Sequence, residues 1–168
     1  MAIRHILAWP DQRLRTVAEP VRDWSPELKR LIVDLFDTMY DDHGVGLAAT
    51  QIGVAQRVIV LDCGLDEPNP IAMINPVIEN REGTTTFAEG CLSVPGVRAE
   101  IDRSETVTVR FQDADGETQT LDASALMAIC IQHEIDHLNG KLYFDHLGPL
   151  EQRAFLKAYT DAREGNES

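Results

Sequence analysis

The pentad His133-Glu134-Ile135-Asp136-His137 sets the tightest limit on how this chain folds. On a helix four residues turn through ~400°, so two histidines four positions apart point the same way, one turn from each other. So placed, two imidazoles can grip one divalent metal, and the Glu134 carboxylate, beside the first, can reach a water on it. Amide hydrolysis needs that set: a Lewis acid, a water it acidifies and a base for the proton. The pattern predicts a helix from about Ser124 to a stop at Asn139-Gly140. Taken alone, the pentad also fits a helix that carries two histidines and no metal.

The rest of the chain supplies a frame for that helix. Ser25-Pro26-Glu27 reads as an N-cap followed by a first-turn proline. Leu28, Leu31, Ile32, Leu35, Phe36, Met39 and Tyr40 then form an i, i+3, i+4, i+7 stripe that ends towards Gly44. Short β-rich runs are expected at 57–61, 71–78, 106–111 and 118–121, the second interrupted by Pro76, which argues for an edge or a break. The last two flank Asp113-Ala-Asp-Gly116, a hairpin turn. Leu147-Gly-Pro149 breaks the chain before a final amphipathic helix running to about Arg163. Strands mostly in the middle with helices on both sides give an α+β fold.

At 168 residues with 43% hydrophobic content, the chain is long enough for one domain with a real core, over 1–163. The tail 164–168 is expected to be disordered. No apolar run approaches the ~20 residues needed to span a bilayer. Met1–Pro10 is apolar too briefly for a signal peptide, so a cytoplasmic protein with no membrane partner is expected. Cys63, Cys91 and Cys130 are odd in number and lack disulfide-framework spacing, which points to a reducing compartment. A net charge of −13 repels phosphate backbones and argues against direct nucleic-acid binding.

A catalytic zinc-type site usually has three protein ligands and one open position. Cys130 lies three residues before His133 on nearly the same helical face, so geometry does not exclude it. Cys91 lies on a separate segment, Ala88-Glu-Gly-Cys-Leu-Ser-Val-Pro95, and would tie the helix to the sheet. Three ligands along one helix surround a metal poorly, so spacing leans towards Cys91 and leaves both open. His5, His43 and His146 read as ordinary surface or partly buried residues. Leu126, Ile129 and Cys130 fall within ~60° of His133 around the helix and form an apolar wall sized for an unbranched side chain. Ordinary core packing is the plainer reading of the same wall.

Three segments together carry a resemblance. Gly44-Val-Gly-Leu-Ala-Ala-Thr-Gln51, Glu89-Gly-Cys-Leu-Ser93 and Gln132-His-Glu-Ile-Asp-His-Leu138 resemble, in order, the three signature motifs of the bacterial type of peptide deformylase. Pro10-Asp-Gln-Arg-Leu-Arg15 is similar to that family's N-terminal segment, and the likeness extends to about residue 160. The resemblance implies mixed or antiparallel β-sheets packed around a central metal-binding helix, with an N-terminal and a C-terminal helix. It implies removal of the N-terminal formyl group from formyl-methionyl nascent polypeptides, with release of formate.

Carried over residue by residue, the resemblance makes Cys91, His133 and His137 the metal ligands. The metal in such enzymes is typically Fe²⁺ in the cell, with Zn²⁺, Ni²⁺ or Co²⁺ able to replace it, and a Cys-His-His set suits several of these. Glu134 is implied as the proton-transfer group. The Gln51 amide and the Leu92 backbone N–H are implied as donors to the oxyanion. Val45, Phe87, Leu126, Ile129 and Cys130 match positions that shape the methionine pocket, and the Gly44–Gly46 segment matches one that pairs with the peptide backbone. Arg98 is placed along the outer groove. Glu89 reads as a brace for the Cys91 loop, and Asp136 as half of an ion pair with Arg103.

The chain departs from the family at its C-terminal helix, which in such enzymes is often basic and helps dock on the ribosome. Here Arg153, Lys157 and Arg163 stand against Glu151, Asp161, Glu164 and Glu167, a poor RNA anchor. Any ribosome contact would be transient and is in doubt for this helix. Two other functions compete: a related amidase acting on another N-acyl substrate, and a non-catalytic metal module closed by a fourth ligand such as Cys130 or His146.

Overall fold

The structure is a computed structural model describing residues 2–64 and 66–167. Five antiparallel strands form the main sheet in the order β1-β2-β3-β6-β7: β1 is Gly46–Ala48, β2 Val58–Asp62, β3 Pro70–Glu82, β6 Thr106–Gln112 and β7 Thr118–Ser124. A separate antiparallel pair, β4 (Thr85–Cys91) and β5 (Val94–Arg103), stands apart. Three helices complete the fold: α1 (Pro26–Asp41), α2 (Ala125–Leu138) and α3 (Pro149–Glu167). The α+β architecture expected from the sequence is what forms.

Strand β2 explains how the sheet is covered. Val58, Ile59, Val60 and Leu61 are all fully buried. Alternate strand residues face opposite sides. Val58 and Val60 pack with Leu28, Leu31, Ile32 and Leu35 of α1. Ile59 and Leu61 pack with Ala128, Ile131 and Ile135 of α2. Helix α1 begins as its cap dictates, Ser25 Oγ accepting the Leu28 N–H at 3.3 Å. A third apolar cluster joins Val94 and Ile101 of β5 to Tyr143 and Phe144, with Phe155 and Tyr159 of α3 beneath them. Helix α2 therefore lies between the main sheet and the β4–β5 pair. That is why ten of its fourteen residues are buried.

Of the edge or break expected at Pro76, the structure has the break. Strand β3 runs through Pro76 in the interior of the sheet, between β2 and β6, and not at an edge. A register shift between Ile74 and Val77 absorbs the missing donor, with Asn75 in the left-handed region at φ 54°. The Asn75 side chain fixes the bulge by accepting from Val21 N (2.8 Å) and donating to Gln112 Oε1 (2.8 Å). At the other end, α3 continues to Glu167, where a disordered tail is expected from residue 164. Its last turns are anchored, Tyr159 Oη donating to Trp9 O at 2.6 Å and Arg163 Nη1 to the same carbonyl at 2.5 Å. Ser168 lies outside the described residues. Among the described residues no helix is long and apolar enough to cross a membrane.

Candidate metal centre and substrate groove

Cys91 closes β4, and His133 and His137 project from α2 towards it. Their ligand atoms lie within 4.8 Å of one another, the two histidines buried and Cys91 half-buried. Cys91 Sγ is 3.4 Å from His137 Nε2. Cys130 stands outside this triad and faces Val45 O at 3.6 Å. Of the two cysteines left open by spacing, the fold brings Cys91 to the histidines.

The imidazole of His133 is oriented from behind. Its Nδ1 lies 2.8 Å from Glu89 Oε1, and Glu89 also accepts from Arg103 Nε (2.8 Å) and Nη2 (2.9 Å). Arg103 Nη1 donates to Asp136 Oδ2 at 2.7 Å, and His146 Nε2 meets the same oxygen at 2.8 Å. The Asp136–Arg103 pair expected from the sequence is thus formed. Glu89 does more than brace a loop. Burial opposes the Glu89 anion, but the hydrogen bonds from Arg103 and His133 hold its pKa below the usual value. An ionised acceptor at Nδ1 keeps the proton there and leaves the Nε2 lone pair for a metal.

The other charges at the site follow from burial. Desolvation, then repulsion from His133, holds the His137 pKa well below ordinary, so its ring is neutral. That is the form in which imidazole binds metal. His133 goes the other way: burial disfavours its cation, yet hydrogen bonds to Cys91 and Glu89 lift its pKa well above the ordinary value. A proton shared there is one a divalent cation can displace. Burial pushes the Glu134 carboxyl up to about 7. Glu134 Oε1 and His137 Nδ1 are buried without a hydrogen-bond partner among the described residues. A soft sulfur donor, two imidazoles and an unpartnered buried carboxylate oxygen together fit one divalent ion with a water beside it.

These groups sit in the wall of a groove of about 880 Å³. Val45, Gly46, Gln51, Phe87, Cys91, Leu92, Arg98, Leu126, Ile129, Cys130, His133 and Glu134 all line it, while His137 lies behind at the metal triad. Gly46 is where β1 approaches α2. A Cβ there would fall 2.6 Å from both Cys130 Sγ and Glu134 Oε2, so only glycine allows the approach. Gln51 is buried and its amide is fixed at both ends, Oε1 accepting from Ala48 N (2.9 Å) and Nε2 donating to Ser93 Oγ (3.0 Å). The same Nε2 lies 3.7 Å from Cys91 Sγ, facing the triad. Arg98 folds over the rim, Nη1 donating to Ala88 O at 3.2 Å.

Sequence reasoning missed Ser93 as the partner of Gln51, although it lies inside the Glu89–Ser93 motif. It also missed Asp42 and His43 at the groove rim. The signal for these two was their place directly before the Gly44–Gln51 segment. Tyr143, whose ring centroid is 5.5 Å from that of His133, gave no signal at all.

Comparison with known proteins bears on this arrangement. Residues 3–153 match the family model described as polypeptide deformylase. A peptide deformylase of Pseudoalteromonas translucida (strain TAC 125) is 48% identical over 157 residues, covering 94% of each chain. The crystal structure of a peptide deformylase from Legionella pneumophila is similar with a TM-score of 0.93 and 45% identity, over 99% of this chain and 98% of that one. A Synechococcus elongatus peptide deformylase, solved in complex with actinonin, gives a TM-score of 0.88 and 40% identity, over 92% and 86% of the two chains.

Proposed function

The chain belongs to the peptide deformylase family, metal-dependent hydrolases that remove the N-terminal formyl group from newly made polypeptides, and we propose that Cys91, His133 and His137 hold its metal while Glu134 carries the proton. The observation that supports these assignments is the convergence of a thiol and two imidazoles on one point with an unpartnered buried carboxylate oxygen beside them. A divalent ion held there supplies Lewis acidity towards water and the formyl oxygen. Every remaining task falls to the chain itself.

Glu134 accepts the proton of the attacking water and returns it to the departing amine. Its burial suits both halves of that task, since a carboxyl raised to about 7 is a stronger base than one in water and is still acidic enough to protonate an amine. The Gln51 amide, held by Ala48 at Oε1 and by Ser93 at Nε2, donates from Nε2 to the oxyanion of the tetrahedral intermediate, joined by the Leu92 N–H from the turn after β4. A donor fixed beforehand needs no reorganisation as charge develops. Glu89 and Arg103 keep the His133 ring in place.

The methionine side chain of the substrate enters the apolar part of the groove, against Leu126, Ile129 and Cys130 of α2, with Phe87 and Val45 at its mouth. Phe87 and Val45 are 40% and 45% exposed, apolar surface that a bound substrate would cover. Gly46, without a side chain, lets the peptide backbone lie along β1, and Arg98 flanks the following residues. We propose residues 1–163 as one catalytic domain acting in the cytoplasm. Ribosome docking through α3 is not supported, because Lys157 is paired with Asp161 at 2.8 Å and Arg163 is spent on Trp9 and Tyr159.

Fe²⁺ is the ion we propose for the cell, with Zn²⁺, Ni²⁺ or Co²⁺ as substitutes. The test is anaerobic purification, a metal assay, and formate release from formyl-Met-Ala-Ser beside acyl release from acetyl-Met-Ala-Ser. Formate from the first peptide at about one metal per chain, with the second left intact, is expected. Equal cleavage of both would favour a general N-acyl amidase. An iron form that lasts in air as long as the zinc form would count against Fe²⁺ bound through Cys91.

A further inference from the structure

The short turn that follows α2 reaches His133 from two directions. Residues Tyr143–His146 form one 3₁₀ turn. At its start the Tyr143 ring stands with its centroid 5.5 Å from that of His133, tilted by 37°. At its end His146 Nε2 lies 2.8 Å from Asp136 Oδ2. Asp136 is the anion of an ion pair with Arg103, so that oxygen accepts and the His146 nitrogen donates. Arg103 Nη1 donates to the same oxygen at 2.7 Å, while Arg103 Nε and Nη2 go to Glu89, whose Oε1 meets His133 Nδ1. The turn is itself anchored from its far side. Arg15 donates to Asp145 at 2.5 and 3.0 Å, Asp145 accepts from Leu142 N at 2.9 Å, and the Trp9 ring packs on the edge of Phe144.

We infer that His146 is a positioning residue for the metal site, pinning Asp136 so that Arg103 stays across Glu89 and the His133 ring keeps its aim. The inference rests on the proposed assignment of His133 as a metal ligand. His146 does not itself join the triad of Cys91, His133 and His137, and its Nε2 is taken by Asp136.

Exposure along the chain of contacts explains why an outer anchor is needed. Arg103 and Glu89 are buried at 4% and 3% side-chain exposure, whereas Asp136 and His146 stand at 18% and 39%. Arg103 lies between two carboxylates and follows whichever of them moves. Without the His146 N–H, the partly exposed Asp136 carboxylate can turn about its side-chain bonds. Arg103 turns with it and its fork loosens on Glu89, where charge-assisted bonds depend on geometry. The acceptor behind His133 is then less well placed, and ligands so supported hold metal more weakly. His146 is exposed enough that replacing it leaves no buried cavity.

His146→Leu and His146→Gln are compared with the unaltered chain. Gln carries an N–H donor to about the place of the histidine Nε2, and Leu carries none. Each protein is loaded with Zn²⁺ and titrated with a chelator at a temperature where circular dichroism shows all three folded. The values of kcat and KM are then measured on formyl-Met-Ala-Ser. His146→Leu should release Zn²⁺ about three- to tenfold more readily, less than is usual for a group touching a ligand, because three residues stand between His146 and His133. Its kcat should fall several-fold with KM unchanged, since no residue of the methionine pocket is altered. His146→Gln should restore both. The inference is overturned if His146→Leu holds Zn²⁺ as tightly as the unaltered chain, even when it is less stable to denaturant. It is overturned equally if His146→Gln is as impaired as His146→Leu, or if KM rises with kcat preserved. An unaltered chain that held no Zn²⁺ would defeat the proposed metal site instead. One that held Zn²⁺ and released no formate would defeat the proposed reaction, while the chelator competition would still decide the role of His146.

Discussion

Glu89 Oε1 lies 2.8 Å from His133 Nδ1 while Glu89 Oε2 accepts from Arg103 Nε at the same distance, so one buried carboxylate orients a metal-facing ring and neutralises a buried guanidinium. The three side chains are almost completely buried, with Arg103 and Glu89 at 4% and 3% side-chain exposure. Charges taken so far out of water must be paired, and here the pairing fixes a tautomer.

Replacing Glu89 with Gln removes the anion from that chain of contacts. Metal retention should weaken by about 10- to 100-fold, and stability should fall by about 1–3 kcal/mol as the Arg103 cation loses a partner. Competition with a chelator, run where the variant is fully folded, measures the first effect apart from the second. Unchanged metal affinity would mean that Glu89 serves only the fold.

Gln51 offers a test of oxyanion stabilisation. Its amide is held by Ala48 and Ser93 before any substrate arrives. Gln51→Leu should lower kcat by about 10²–10³ with little change in KM. Steady-state kinetics on a formyl-Met peptide decide the matter. A raised KM with kcat preserved would make Gln51 a substrate-binding group.

Ala125 opens α2 with φ 53°, a left-handed conformation that alanine tolerates poorly. The residue is exposed, so no packing is lost when its methyl goes. Ala125→Gly should stabilise the protein by about 0.5–1 kcal/mol, relief of strain exceeding the added freedom of the unfolded chain. Denaturant unfolding of the two proteins provides the comparison, and a less stable glycine variant would contradict the strain.

Much of this arrangement was legible in the sequence, and the parts that were not have a common cause. The Ser25 cap, the α1 stripe, the Asp113–Gly116 turn and the histidine helix are local signals, complete within a few turns of chain. Strands β4 and β5 escaped because Thr85–Cys91 and Val94–Arg103 are largely exposed or half-buried and lack apolar alternation. They are held by contacts remote in sequence, such as Thr86 Oγ1 to Asp102 at 2.5 Å and Glu89 to Arg103. The Glu89–His133 contact spans 44 positions, and no periodicity announces it. Ser93 was hidden for the same reason, since its partner Gln51 is 42 positions away. The bulge at Asn75–Pro76 shows the opposite case: proline marked the break correctly, but the side chain that repairs it allowed the strand to remain interior.

The central claim is that Glu134 carries the proton for a metal held by Cys91, His133 and His137. It is tested most directly by loading Glu134→Gln with metal and measuring bound metal and formate release together. The account predicts about one metal per chain, as in the unaltered protein, with formate release from formyl-Met-Ala-Ser reduced by about 10²–10⁴. A variant that binds metal and still releases formate at the original rate would contradict it.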